Sequence, residues 1–443
     1  MGAVSEDKDT YRAGFERFAL SKAAASEPSW LRERRTAAFA SFVESGLPTP
    51  RDEAWRHTPI AALVRARPEP ADPEAKPAPA VLERLARAEG PRLTFVNGAL
   101  SRELSDLAPR AGVELLGLKD ALAKHPALVE AKLGRVARAG SAFAQLNAAL
   151  AHDAAFVWIA PGAAPDQAIR IEHVGAGGAP AVAYARALIV AGAGSRSRVV
   201  ESYVSPDGVA SFTNAVTEVV LEDGARVERS KLQQEGALAL HVATLAASVG
   251  RGASFSDHSL VLGAALSRDD IEVRLDGEGA SCDLAGLFVV DGKRVADTHS
   301  TIDHVRPHGT SRELYKGILD DQARGVFNGL VVVRPGAQKT DAWQMNRNLL
   351  LSREALVHST PQLEILANDV KCKHGSTTGQ LDPAALFYLR SRGIDAAAAR
   401  ALLTWAFASD LLRHVPDAAV RSAVERHLQA KLPGASGLME AAS

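Results

Sequence analysis

The chain has 443 residues and is 47% hydrophobic, which is long enough for two or three domains around a large core. Its 51 Lys and Arg against 52 Asp and Glu leave no electrostatic reason to expect nucleic acid or an anionic membrane as partner. No stretch approaches the ~18 uninterrupted apolar residues of a transmembrane helix.

The N-terminus, Met1 to Leu20, carries Glu6, Asp7, Lys8 and Asp9 and lacks the apolar run of a signal peptide. Leu31 to Phe42 is Ala- and Arg-rich and predicts a helix that stops near Gly46-Leu47-Pro48. Arg65 to Ala80, rich in Pro, Ala and charge, reads as a linker or extended surface loop. Val81 to Gly140 mixes a short strand, Leu93 to Val96 before Asn97-Gly98, with helical stretches such as Leu118 to Ala131. Residues 1–154 are therefore expected to be a helical and mixed region with a Pro-rich linker near 65–80.

From about Ala155 to Gly379 the sequence favours strands, with short runs of Val, Ile, Leu and Phe broken by Gly and Asp. Gly followed by a small residue recurs at Gly162, Gly194, Gly224, Gly252, Gly279, Gly309 and Gly336, roughly every 28 residues. A unit of that size holds two strands and two turns. It cannot bury its apolar face alone, so coils stack and share a core. Gly suits the turns because it adopts positive φ without a Cβ clash. The expected fold is mainly β, a β-helix over 155–380. An antiparallel sandwich with hairpins at similar spacing is the alternative.

The remainder, 381–443, reads as helical. Asp382-Pro383 is an N-cap with Pro at the first helical position, and Gly393 is a C-terminal stop. Asp395 caps a second helix with Leu402, Leu403, Ala406 and Phe407 on its apolar stripe, and a third runs from Pro416 to Leu428.

Cys372 and His374 lie two apart, so on a strand they share a face. A thiolate beside an imidazole suits iron or zinc. Lys371 and Lys373 point the other way, with charge near enough to favour the thiolate. Set against this is a Cys on a polar strand edge with a solvated His. Cys282 falls three residues after Gly279, as Val227 and Phe255 do after Gly224 and Gly252. It is therefore expected inside, as a small buried hydrophobe. The two cysteines argue against a disulfide framework and for a reducing cytoplasm. His299, His304 and His308 are dense enough to suggest a metal site, but His299 and His304 have opposite strand parity. The Asp269-Asp270 and Asp320-Asp321 pairs invite comparison with sugar-cleaving carboxylates, yet adjacent strand residues face opposite ways. Neither a phosphate-binding loop nor a nucleophile elbow is present in the sequence.

The blocks Tyr315-Lys316-Gly317-Ile318-Leu319, Gly325-Val326-Phe327-Asn328-Gly329, Ala337-Gln338-Lys339-Thr340-Asp341-Ala342 and Gln344-Met345-Asn346-Arg347-Asn348 follow in order. Pro361-Gln362-Leu363-Glu364-Ile365 and Asp369-Val370-Lys371-Cys372-Lys373-His374-Gly375 complete the series. In this order and spacing the chain resembles the SufB/SufD family of the SUF iron–sulfur cluster assembly machinery. The match is strong from about Ala155 to Phe407 and weaker before it, where Glu53-Ala54-Trp55-Arg56-His57-Thr58 resembles an early Trp-containing motif of the family. With two cysteines in all, it looks like SufD rather than SufB, whose members carry more.

The resemblance implies a right-handed parallel β-helix flanked by helical segments. It implies a scaffold subunit without turnover of its own, working with a SufB-like paralogue through the β-helix end and with a SufC-like ATPase through the C-terminal helices. A homodimer in isolation is compatible with it. By resemblance His374 matches the SufD histidine implicated in building a cluster at the shared interface, and Cys372 its neighbour. The cofactor implied is a transient iron–sulfur cluster shared with the partner. A cluster usually takes four protein ligands and this place offers two, so a partner must supply the rest. The rivals are a β-helix carbohydrate-active enzyme, which requires an aromatic-lined groove, and a purely structural partner with no cluster contact.

Overall fold

The computed structural model describes residues 2–61, 63, 69–85, 88–137, 141–177 and 181–432. Of the expected linker, residues 65–68 lie outside the described residues.

The strands in chain order are β1 (Glu69–Pro70), β2 (Arg92–Val96), β3 (Ala99–Leu100), β4 (Val113–Gly117), β5 (Ala155–Ile159), β6 (Ile169–Val174) and β7 (Ala181–Ala191). They continue with β8 (Arg196–Val204), β9 (Ser211–Leu221), β10 (Arg226–Gln234), β11 (Leu240–Val249), β12 (Ser254–Val261) and β13 (Leu266–Leu275). The last seven are β14 (Ser281–Val290), β15 (Val295–His304), β16 (Thr310–Leu319), β17 (Arg324–Val333), β18 (Asp341–Leu350), β19 (Leu356–Ile365) and β20 (Lys371–Gly379). From β5 onward each strand pairs in parallel with the next but one. The result is a flattened parallel β-solenoid of two facing sheets, with the odd strands from β5 onward in sheet A and the even ones from β6 onward in sheet B. The parallel ladders rule out the antiparallel sandwich.

The turns from sheet A to sheet B are stacked as the glycine repeat implied. Gly194, Gly224, Gly252 and Gly279 have φ of 69°, 68°, 60° and 67°. Each donates its N–H to the next coil's turn, to Asp223, Arg251, Glu278 and Pro307. One detail differs. Gly309 and Gly336 are not among the positive-φ residues, and His308 (φ 62°) and Lys339 (φ 62°) take the left-handed place. Their N–H groups continue the same stack, to the carbonyls of Gln338 and Asp369. The inter-coil bond offsets the strain of a side chain there.

Helices cover both outer faces. Phe39 and Phe42 of the helix Ser29–Ser45, with Phe143, Leu146 and Leu150 of the helix Ala142–Leu150, pack on Val182, Tyr184, Phe212, Val242 and Leu266 of sheet A. Trp405, Leu411 and Leu412 of the helix Ala396–Leu412, with Val420, Val424 and Leu428 of Ala418–Lys431, pack on Val200, Leu232, Leu260, Leu287 and Ile318 of sheet B. Buried Arg170 and Asp417 pair at 2.9 Å across the second interface. The expected helix over Leu118–Ala131 is two, Leu118–Lys124 and Pro126–Lys132, because Pro126 lacks the N–H needed to continue the first. No helix among the described residues is long and apolar enough to cross a membrane.

The segment Glu53–Thr58 straps across the outside of sheet A. The Arg268 guanidinium lies 3.8 Å from the Trp55 ring centroid and donates to the Ala54 carbonyl at 2.7 Å. It also pairs with Asp297 at 2.8 Å and Asp270 at 2.7 Å, so its charge is compensated although it is buried. His57 stacks on His358 of β19 with ring centroids 3.8 Å apart.

Candidate functional site

The two ends of the solenoid differ. At the first, β2 folds back on β3 through Asn97 (φ 50°) and Gly98 (φ 85°), and β4 closes the other sheet by antiparallel pairing with β5. At the last coil, β19 and β20 lie at the sheet ends. Their side chains are mostly exposed, and Leu356, Ile365 and Leu366 are 49%, 41% and 50% exposed. Long strands left uncovered are a ready surface for another chain.

Cys372 and His374 sit on β20. The ladder places Cys372 beside Ala342 and His374 beside Gln344, both fully buried. Ser376 of the same parity meets Ser359 of β19 at 2.8 Å across the interior. All three residues therefore face inward, into the open mouth of the last coil. Cys372 is half-buried against the apolar core and His374 is exposed, because no further coil covers them.

Parallel register extends each position into a column. The Cys372 column runs back through Ala342, Ser311, Cys282, Phe255 and Val227, so Cys282 is a buried interior residue as expected. The His374 column runs through Gln344, Glu313, Leu284, Asp257 and Arg229. The interior is thus divided lengthwise: Cys372 ends an apolar lane and His374 ends a polar one.

The polar lane is densely charged. Arg229 binds Glu201 at 2.7 Å and Asp257 at 2.6 Å, and Lys231 binds Asp269, all within the solenoid. His241 meets Glu235 at 2.7 Å. Burial opposes the Glu201 charge, but Arg229, His173 and Tyr203 hold its carboxyl well below the usual range. Glu313 differs: burial pushes its carboxyl up, only partly offset by hydrogen bonds from Ser300 and Gln344. Gln344 Nε2 donates to Glu313 Oε2 at 2.7 Å. The sequence reading missed this lane. Its signal was the recurrence of Arg229, Asp257, Glu313, Gln344 and His374 at one strand position, interrupted at Leu284.

The flanking lysines do not activate Cys372. Burial raises its thiol pKa; a hydrogen bond with the Ala342 backbone offsets part of this, and Asp341 adds a smaller rise. Cys282 is pushed up further, by burial and then by Glu313, Asp283 and Asp257.

The other candidates fall apart in space. His299 faces out to Asp297 at 3.0 Å, His304 faces in to Ser311 at 2.9 Å, and His308 is a turn residue. Asp269 is inside with Lys231, whereas Asp270 is outside with Arg268. Asp321 is a turn residue with φ 52°. Among the described residues no group of three or more His, Cys, Asp and Glu is placed to hold a metal ion.

Beyond the mouth, the helix Pro383–Ser391 has no buried residue, and Phe387 and Tyr388 are 73% and 57% exposed.

The family described as "SUF system FeS cluster assembly, SufBD core domain" matches residues 173–407, and "SufBD protein N-terminal region" matches 84–171. An iron–sulfur cluster assembly SufBD family protein of Synechocystis sp. is 33% identical over 408 residues, covering 89% of this chain and 90% of the relative. The iron–sulfur cluster assembly protein SufD of Escherichia coli is 31% identical over 399 residues, covering 89% and 91%. A SufBD family protein of Mycobacterium tuberculosis is 33% identical over 224 residues, covering 48% and 56%.

Proposed function

The chain belongs to the SufB/SufD family of the SUF iron–sulfur cluster assembly system as a SufD-like member, and from that premise we propose that it is a scaffold subunit offering His374 and Cys372 to a nascent cluster. The observation that carries the proposal is their placement: both face inward at the last coil, whose interior is open among the described residues. A partner with a similar solenoid would complete the coil and supply the missing ligands. The cluster is cargo, shared across that contact and handed on.

His374 is the first ligand in this reading, being exposed at the mouth. Cys372 is the second. Its raised thiol pKa means that it reaches the thiolate when iron displaces the proton rather than resting as one. A SufB-like paralogue would meet β19 and β20, and a SufC-like ATPase would take the exposed face of Pro383–Ser391. ATP binding there would act on the mouth through the short link from Gly379 to Asp382.

The test is anaerobic co-purification with the partner subunits, followed by iron and sulfide analysis of wild type and His374→Ala. The expected result is an intact complex with at least a tenfold loss of bound iron and sulfide in the variant, the scale on which ligand-shell changes act. An intact complex with unchanged iron would replace this reading with that of a purely structural partner.

A further inference from the structure

Gln344 is fully buried, and its amide is committed on one side only. Its Nε2 donates to Glu313 Oε2 at 2.7 Å, while its Oε1 has no hydrogen-bond partner. A carboxyl that accepts this bond fixes which end of the amide is which, so the carbonyl is the end left over. The neighbour in register on the mouth side is His374, facing the same way on the adjacent strand.

The pocket is built for this amide. A Cβ at Gly329 on the facing sheet would collide with Gln344 Nε2. A Cβ at Gly286 would collide with the ring of Tyr315, which shares the Glu313 face of β16. A side chain at Gly329 would compete with the Gln344 amide for this space. Two neighbouring coils thus meet at one side chain whose carbonyl is unused.

We propose that Gln344 is a positioning residue for His374, accepting a hydrogen bond from one ring N–H and so presenting the other ring nitrogen, unprotonated, to the mouth. Glu313 is the anchor that prevents the amide from flipping. A metal-binding imidazole needs one nitrogen bare, and which one is set by the bond the other makes. This deepens the reading of His374 as a ligand and rests on it for its purpose, but the tautomer it would set can be read on the chain without metal.

The experiment uses the full chain, metal-free and labelled with 15N-histidine, at pH 8. The His374 ring resonances, assigned with His374→Ala, report the tautomer. In wild type one tautomer is expected to dominate. In Gln344→Met, which keeps the length and loses the carbonyl, the ratio should shift about fivefold, the equivalent of about 1 kcal/mol for one hydrogen bond. Gln344→Asn, which keeps the amide but withdraws it, should shift it similarly and serves if the Met variant does not fold. Identical ring shifts in wild type and the folded variants would overturn the proposal. A tautomer shift alongside normal cluster assembly in His374→Ala would instead leave the positioning intact and remove the ligand role.

Discussion

The two ends of the solenoid are built from the same kind of coil and finished in opposite ways. At the first, two antiparallel strands cover the sheets, and Leu93 and Phe95 of β2 are 0% and 1% exposed. At the last, β19 and β20 run nearly full length with mostly exposed side chains, and the helix that follows has no fully buried residue. Solenoids generally need capping at both ends to stay soluble and unpaired. A cap at one end and a bare coil at the other is the asymmetry on which the proposed partner surface rests, and Cys372 and His374 lie inside the mouth of the bare coil.

Matched substitutions at the two ends give the largest contrast. Leu93→Asp buries an unpaired charge and should unfold the chain outright, costing more than about 5 kcal/mol. Leu366→Asp at the bare coil should leave the chain's own melting unchanged within about 0.5 kcal/mol. It should instead weaken binding of a SufB-like partner by at least about 30-fold, a hot-spot loss of about 2 kcal/mol. Thermal melts of each variant and a partner titration of the second check the pair. Equal melting points for both variants would break the comparison.

The middle of the solenoid supplies the next contrast. Arg229 sits between Glu201 and Asp257 with no solvent to share the charge. Arg229→Met should cost about 3–5 kcal/mol in urea unfolding, because two carboxylates are left without their cation. The same lane at the mouth ends in an exposed group, and His374→Ala should cost less than about 0.5 kcal/mol.

Acid should act on the covered parts before the open one. Burial lowers the His304 pKa to about 4, and burial with Lys431 and Arg294 lowers that of His427 to about 4. The folded chain holds both neutral, while the unfolded chain protonates near 6.5. Above pH 6.5 neither state takes the proton and stability is flat. Between pH 6.5 and 4 only the unfolded state does, so stability falls, by about 3 kcal/mol for each histidine. His304→Gln should flatten that slope in urea titrations at a series of pH values.

Much of this was legible in the sequence because solenoid signals are local. The strands, the 28-residue period, the turns at Gly194 to Gly279 and the caps at Asp382 and Asp395 need only near neighbours. The inward place of Cys282 followed from comparing it with Val227 and Phe255. What resisted reading were features made between coils. Arg229 and Asp257 look like ordinary surface charges until register stacks them. His308 and Lys339 take left-handed turns because a neighbouring coil's carbonyl holds them, which their own side chains do not announce. Lys371 and Lys373 suggested an activated thiol, but a half-buried sulfur beside Asp341 feels its burial more than the solvated charges of its neighbours.

The smallest effect separates the two consecutive C-terminal helices. Asp395 accepts from the N–H groups of Ala397 and Ala398 at 2.9 and 3.0 Å, and the helix it caps buries Trp405, Leu411 and Leu412. Asp382 accepts from Ala384 at 2.9 Å, and its helix has no fully buried residue. Each cap is worth about 1 kcal/mol to its own helix. Asp395→Ala should therefore lower global stability by about that amount, since the helix unfolds with the sheet it covers. Asp382→Ala should leave global unfolding where it was and instead speed amide exchange within Pro383–Ser391, about fivefold for 1 kcal/mol of local opening. If the two variants melted alike, the first helix would be part of the cooperative body, and its exposed Phe387 and Tyr388 would no longer count as the free surface on which the proposed ATPase contact rests.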